Sequence, residues 1–244
     1  MRVNFTNFPK EFKIVKKELN YKFNKICSEG QYVLGAELKT FEENVKKYLK
    51  VKHVLGVGNW TEGTVMTLKA LGYHQNDEVI TVSNSFIATC GAIAYAGMKP
   101  RLADVGEDLN IDCKKIESLI NKKTKAIMPV HLSGIPADLE TIKKICKKNK
   151  IHLIEDAAHA FGTKYKNKFI GTIGDVGIFS LHPRKSFHIL GDGGLIITNN
   201  TKLYQKILLM RNHGLKNRDE SLIWGTNSRL DNLQAGFGNI MLKK

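Results

Sequence analysis

The 244-residue sequence predicts an α/β fold, with a mostly parallel, seven-stranded sheet covered by helices on both faces. Three observations carry that expectation. Short apolar runs of strand length alternate with longer stretches of helical periodicity, with little slack between them. The run Ile151 to Ile154 reads as a buried strand ending in two acids. A chain of this length can also bury a full core.

The elements follow in order. Residues 10–27 have helix-like apolar spacing with charges between, and Ser28-Glu29-Gly30 breaks the pattern. After the connector 31–35, a second amphipathic helix places Leu38, Phe41, Val45, Tyr48 and Leu49 on one face. Val54 to Val57 is a strand ending at Gly58-Asn59, and the helix beginning at Trp60 runs to Leu71-Gly72 with Thr61 as its expected N-cap. Strands at 78–82, 100–104, 125–130 and 151–155 then alternate with helices at 86–95, 113–120 and 139–148. Two further strands, one ending at Phe179-Ser180 and one running to Thr198, flank a loop that holds Lys185 and closes on Gly193-Gly194. A helix over 201–210 stops at Asn212-His213-Gly214, a polar loop covers 216–222, and another helix begins at Leu233 and is still running at Lys244.

Composition narrows the function classes. The hydrophobic share is 42% and the charged share 25%, ordinary for a globular protein. No apolar run reaches membrane-spanning length, and the N-terminus lacks a signal peptide's apolar core, so the expected compartment is the cytoplasm. The four cysteines are scattered without a Cys-x-x-Cys pair, which argues against a metal site or a disulfide framework. A net charge of +15 raises the question of nucleic acid, but the lysines are spread over many segments with no recognisable binding motif. An anionic small substrate explains a functional positive field better than nucleic acid does.

The chemistry concentrates between Ile151 and Thr198. Asp156 is delivered to a strand's C-terminal end, where open α/β sheets collect their ligands. His159, Ser180 and Lys185 are expected to converge there with it. Singly, each has a bland reading: a lysine in a lysine-rich chain is a surface residue, and an aspartate at a strand end is a cap. Their order and spacing favour one shared crevice. The Gly58–Thr61 turn into a helix offers a second feature, free N–H groups suited to a phosphate.

These pieces resemble the DegT/DnrJ/EryC1/StrS family of pyridoxal-phosphate sugar aminotransferases, of fold type I. The resemblance rests on Gly58-Asn59-x-Thr61, Asp77-Glu78-Val79-Ile80, Ala88-Thr89, Asp104-Val105, Pro129-Val130-His131-Leu132-x-Gly134 and Pro136-Ala137-Asp138. It continues through Glu155-Asp156-Ala157-Ala158-His159, Phe179-Ser180-x-His182-Pro183-x-Lys185, Gly193-Gly194, Asn212-His213-Gly214 and Asn227-x-Arg229. By resemblance, Lys185 forms the Schiff base with the cofactor aldehyde and, once freed, moves a proton between substrate and cofactor. Asp156 partners the pyridine nitrogen, and His159 occupies the position near the phenolic oxygen where the family often has Gln. Ser180 with the amides of Thr61 and Glu62 forms the phosphate cradle, and Phe86 lies on the ring face. Asn227 reaches the phosphate of a neighbouring subunit, which implies a homodimer with shared active sites.

The resemblance further implies a nucleotide-linked keto-sugar as substrate, glutamate or glutamine as amino donor, and polysaccharide biosynthesis as the setting. Its expected organisation is an N-terminal helical segment (1–29), a cofactor-binding large domain (30–232), and the start of a helix (233–244) leading to a C-terminal domain beyond the chain. Trp60 stands where the family usually has Gly, Ser186 replaces a common Asn, and Ile135 replaces a common polar residue. A sugar dehydratase on the same fold is disfavoured, because those members carry His in place of Lys185. A protein that binds cofactor or a partner without catalysis is the reading of a different class.

Overall fold

The structure is a computed structural model that describes residues 6–244. The expected N-terminal helical segment lies partly outside the described residues, since its first helix, α1, spans Phe8–Glu29. The Asn7 side chain caps α1 by accepting from the Lys10 N–H, and Gly30 ends it at φ 66°, a conformation glycine takes without a Cβ penalty. Helix α2 (Ala36–Leu49) buries Leu38, Phe41, Val45 and Leu49, the expected stripe without Tyr48.

The remaining elements alternate, as the sequence predicts. They are β1 (His53–Val57), α3 (Trp60–Ala70), β2 (Glu78–Val82), α4 (Ile87–Tyr95), β3 (Lys99–Ala103), α5 (Cys113–Leu119), β4 (Thr124–Met128), α6 (Leu139–Asn149) and β5 (His152–Asp156). A small hairpin, β6 (Lys164–Tyr165) and β7 (Lys168–Phe169), precedes β8 (Val176–Ser180), β9 (Gly194–Thr198), α7 (Thr201–Met210) and α8 (Asn232–Met241).

Seven strands form one sheet in the order β1-β9-β8-β5-β4-β2-β3. Strands β8, β5, β4, β2 and β3 are mutually parallel, and β9 runs against both of its neighbours. Side-chain alternation builds a core on each face. Ile80, Ile127, Leu153, Phe179 and Ile197 pack on one side, and Val79, Met128, Ile154, Ile178 and Ile196 on the other. Helices α1, α2 and α8 share the first side, tied by Asn232, whose Oδ1 accepts from Leu38 N–H at 2.9 Å.

This topology gathers several strand ends at one end of the sheet. The pairs Val57↔Gly194 and Ser180↔Gly194 bring the end of β1, the end of β8 and the start of β9 together. Asp156 ends β5 beside them, paired with Ile178. Gly194 has to be glycine here, because a Cβ would stand 2.8 Å from the Asn59 carbonyl carbon and 3.0 Å from the Trp60 nitrogen.

Candidate active site

Asp156 forms the floor of the site. It is 3% exposed, and its carboxylate accepts from the Thr89 hydroxyl at 2.9 Å and from the Ala158 N–H at 3.1 Å. Burial pushes its carboxyl up to about 6, opposed by those hydrogen bonds and by the Lys185 charge. Strand alternation sends the neighbouring Glu155 to the opposite face. There it accepts from Gly171 N–H and Ile173 N–H, both at 2.7 Å, and from Gly174 N–H at 2.6 Å. One strand end thus carries a carboxylate tied into the fold and a carboxylate facing a cavity.

That cavity has a volume of about 450 Å³. Its lining includes Thr61, Phe86, Asp156, His159, Ser180 and Lys185. Six of the eight residues singled out from sequence therefore share one space. Lys185 reaches it from the loop between β8 and β9, where its N–H donates to the His182 carbonyl at 2.9 Å. The amine is half-buried, which lowers its pKa, while Asp156 acts in the other direction. Lys185 Nζ stands 2.7 Å from His159 Nε2, and burial lowers the imidazole's pKa as well. Phe86 is 70% exposed at the entry of α4, open to the cavity.

The other two residues lie differently. Glu62 does not line the cavity: its N–H donates to Asn59 Oδ1 at 2.8 Å, and its carboxylate lies over Gly58. Asn227 is exposed, in a bridge with Asn212, and is absent from its own chain's cavity lining. Asn59, not Thr61, is the N-cap of α3, because Thr61 already has helical neighbours on both sides. With Glu62 capped, the Trp60 and Thr61 N–H groups are the ones without a hydrogen-bond acceptor among the described residues.

Sequence reasoning overlooked Asn59 as the cap and Thr89 as a hydrogen-bond donor to Asp156, although both lie inside motifs it quoted. Trp60 is the departure from the family's usual Gly at this turn. Trp60 is 6% exposed and its indole packs in the core, with Nε1–H donating to the Ile178 carbonyl at 3.2 Å. Ser186 lies beside the site, its hydroxyl donating to the His159 carbonyl at 3.4 Å, and Ile135 is exposed.

Among the described residues no cluster of metal-ligating side chains occurs, and no helix is long and apolar enough to cross a membrane.

The chain is similar to known proteins over nearly its whole length. It is 38% identical over 238 residues to a pleiotropic regulatory protein of Geobacillus stearothermophilus, covering 97% of this chain and 64% of that protein. It is 33% identical over 242 residues to the dTDP-3-amino-3,4,6-trideoxy-alpha-D-glucose transaminase of Streptomyces venezuelae, covering 99% of this chain and 64% of that one. The chain thus spans just under two thirds of the length of these relatives. Among solved structures, S. venezuelae DesV in complex with a ketimine intermediate superposes with a TM-score of 0.96 at 33% identity, covering 99% of this chain and 66% of that one. NtdA from Bacillus subtilis with bound cofactor PMP gives a TM-score of 0.88 at 32% identity, covering 93% of this chain and 52% of that one. The matching family model spans residues 13–244, and the chain belongs to the DegT/DnrJ/EryC1/StrS aminotransferase family.

Proposed function

We propose that this chain is the cofactor-binding part of a pyridoxal-phosphate-dependent aminotransferase. Its substrate is a nucleotide-linked keto-sugar, and its amino donor is glutamate or glutamine. The observation that carries this reading is the convergence of the Lys185 amine and the buried Asp156 carboxylate on one cavity beside the open start of α3.

The residues present fit the cofactor on three counts. The Trp60 and Thr61 N–H groups, with the Ser180 hydroxyl, offer donors to a phosphate at a helix N-terminus. Asp156 offers a carboxylate to a protonated ring nitrogen. Lys185 offers an amine that burial biases toward its uncharged, nucleophilic form. When bound, the cofactor supplies an electron sink for the substrate carbon. The protein's part is to place groups around it. Asp156 would keep the proton on the ring nitrogen, Phe86 would lie against the ring, and Lys185 Nζ would take up and return the proton at the reacting carbon. A second cavity of about 800 Å³ shares His159, Arg184 and Lys185 with the first and adds Lys10, which gives an anionic substrate room beside the lysine.

The same reading makes the protein a homodimer in which Asn227 serves the partner's site, and it keeps the boundaries at residues 30 and 232. It places the protein in the cytoplasm, in keeping with four free cysteines.

The test is an absorbance spectrum of the chain with added pyridoxal phosphate, followed by borohydride reduction and peptide mapping. A visible band shifted from that of free cofactor, and a reduced adduct on Lys185, are expected. Lys185→Ala removes both. A band that persists unchanged in Lys185→Ala would overturn the assignment of the lysine. Absence of band and adduct in the parent would favour a protein without catalysis.

A further inference from the structure

His159 is held from both sides, and the holding decides where its proton sits. The Ser133 N–H donates to His159 Nδ1 at 3.2 Å. A nitrogen that accepts a hydrogen bond carries a lone pair, so the neutral ring must bear its hydrogen on Nε2. Nε2 is the atom 2.7 Å from Lys185 Nζ. An N–H on one side of that contact requires a lone pair on the other, which the amine has and the ammonium lacks.

The turn that presents Ser133 is built for this contact. Ser133 has φ 53° and Gly134 φ 83°, both left-handed, and only the second is a residue that takes this conformation freely. The turn is tied to the sheet end through the His131 N–H, which donates to the Asp156 carbonyl at 3.1 Å, and through the Gly134 N–H, which donates to the His131 carbonyl at 3.1 Å. A Cβ on Gly134 would lie 3.2 Å from the His159 carbonyl, so the turn rests directly on the histidine's backbone. The Ser133 N–H therefore meets Nδ1 from a turn whose backbone is fixed to the sheet end and to His159.

The geometry points to His159 as a positioning residue for the free lysine: the Ser133 amide locks it as the Nε2–H tautomer, whose N–H donates to Nζ and holds Lys185 as the uncharged amine. This rests on the proposed role of Lys185 as nucleophile, and it adds a role for His159 before any cofactor is bound. The neutral amine is the form able to attack a carbonyl carbon. Burial lowers the pKa of both groups. Other charges surround the pair. On the cavity side they are Asp156, His182, Arg184 and Asp192. On the α1 side they are Lys10, Glu11 and His188. Asp156 acts against the neutral amine, burial acts for it, and the His159 N–H adds a directed donor on the same side as burial.

Two measurements on the full cofactor-free chain test this. Imidazole ¹⁵N NMR should show His159 with unprotonated Nδ1 and protonated Nε2. Competitive acylation with acetic anhydride across pH, read by mass spectrometry, should give Lys185 a lower midpoint than the exposed Lys147. In His159→Ala that midpoint should rise by roughly one pH unit, the size of one net hydrogen bond. His159→Gln, whose amide can still donate, should restore at least half of the difference. An Nδ1–H tautomer, an imidazolium at neutral pH, or an unmoved midpoint in His159→Ala would each overturn the proposal. Borohydride mapping of the loaded chain separates the two readings. An adduct on Lys185 with the wrong tautomer sinks this inference alone, whereas the right tautomer with no adduct sinks the functional reading alone.

Discussion

Asp156 and Glu155 are chain neighbours with opposite duties. Glu155 is satisfied by three backbone N–H groups of the 171–174 loop and acts as an internal tether. Asp156 has two donors and an open cavity, and its carboxyl is pushed up to about 6 by burial. A group whose pKa is raised on folding binds its proton more tightly in the folded state. Its contribution to stability is complete below the unfolded value of 3.8 and is lost as pH climbs through about 6. Asp156→Asn should remove this dependence. Without cofactor, the variant should gain up to ~3 kcal/mol over the parent at pH 8 and little at pH 4. Its cofactor binding should meanwhile weaken severely. Urea unfolding at the two pH values checks the first claim, and parallel curves for the two proteins would refute it.

At the scale of elements, the start of α3 combines structural and ligand-binding roles. Asn59 Oδ1 caps Glu62, which leaves the N–H groups of Trp60 and Thr61, two residues lining the cavity, without an acceptor among the described residues. Replacing Asn59 with Ala should cost about 1 kcal/mol of stability by denaturant titration. It should also loosen phosphate binding, since the first turn then frays where the anion sits. A variant that loses affinity for pyridoxal phosphate but not for its dephosphorylated form would locate the phosphate at this turn. Unchanged affinity for both would remove it. The strands of this fold are legible in sequence because they are apolar and bounded by polar turns, as Ile151 to Ile154 is. The β6–β7 hairpin is not. Its two-residue strands are rich in lysine, and its turn uses Lys166 and Asn167 at φ 45° and 66° without the glycine that announces such turns. The reversed direction of β9 leaves no mark in its own apolar run either. The cap was misplaced by two residues because Asn59 and Thr61 are both good N-caps by type. In sequence Glu155 stands only as part of a motif, and its tethering role is illegible there because its partners are backbone groups of a distant loop, which no residue pattern records.

At the scale of the whole molecule, the informative surface is α4. The helix buries Thr89, Ala92 and Ile93 against the sheet. Its outer side presents Ile87 at 73% exposure and Tyr95 at 80%, with exposed Gly91 and Ala94 between them. These positions recur at helical spacing, so they form an apolar stripe with no charged residue, on a chain of net charge +15. Trp224, almost wholly exposed, adds a second apolar element on the loop that carries Asn227. In the proposed homodimer, a second copy related by a two-fold axis would cover this face with the same stripe. Pairing two strongly basic chains brings like charges together, so association should strengthen with added salt as repulsion is screened. The chain should therefore sediment as a dimer, more completely at 0.5 M than at low salt. Ile87→Glu with Tyr95→Glu should give a folded monomer with unchanged circular dichroism. If Asn227 serves the partner's site, that monomer should also bind pyridoxal phosphate less tightly, while Asn227→Ala should weaken binding and leave the dimer intact. A double variant that stays dimeric would show that α4 is not the interface. A monomer that keeps full cofactor affinity would show instead that each chain completes its own site.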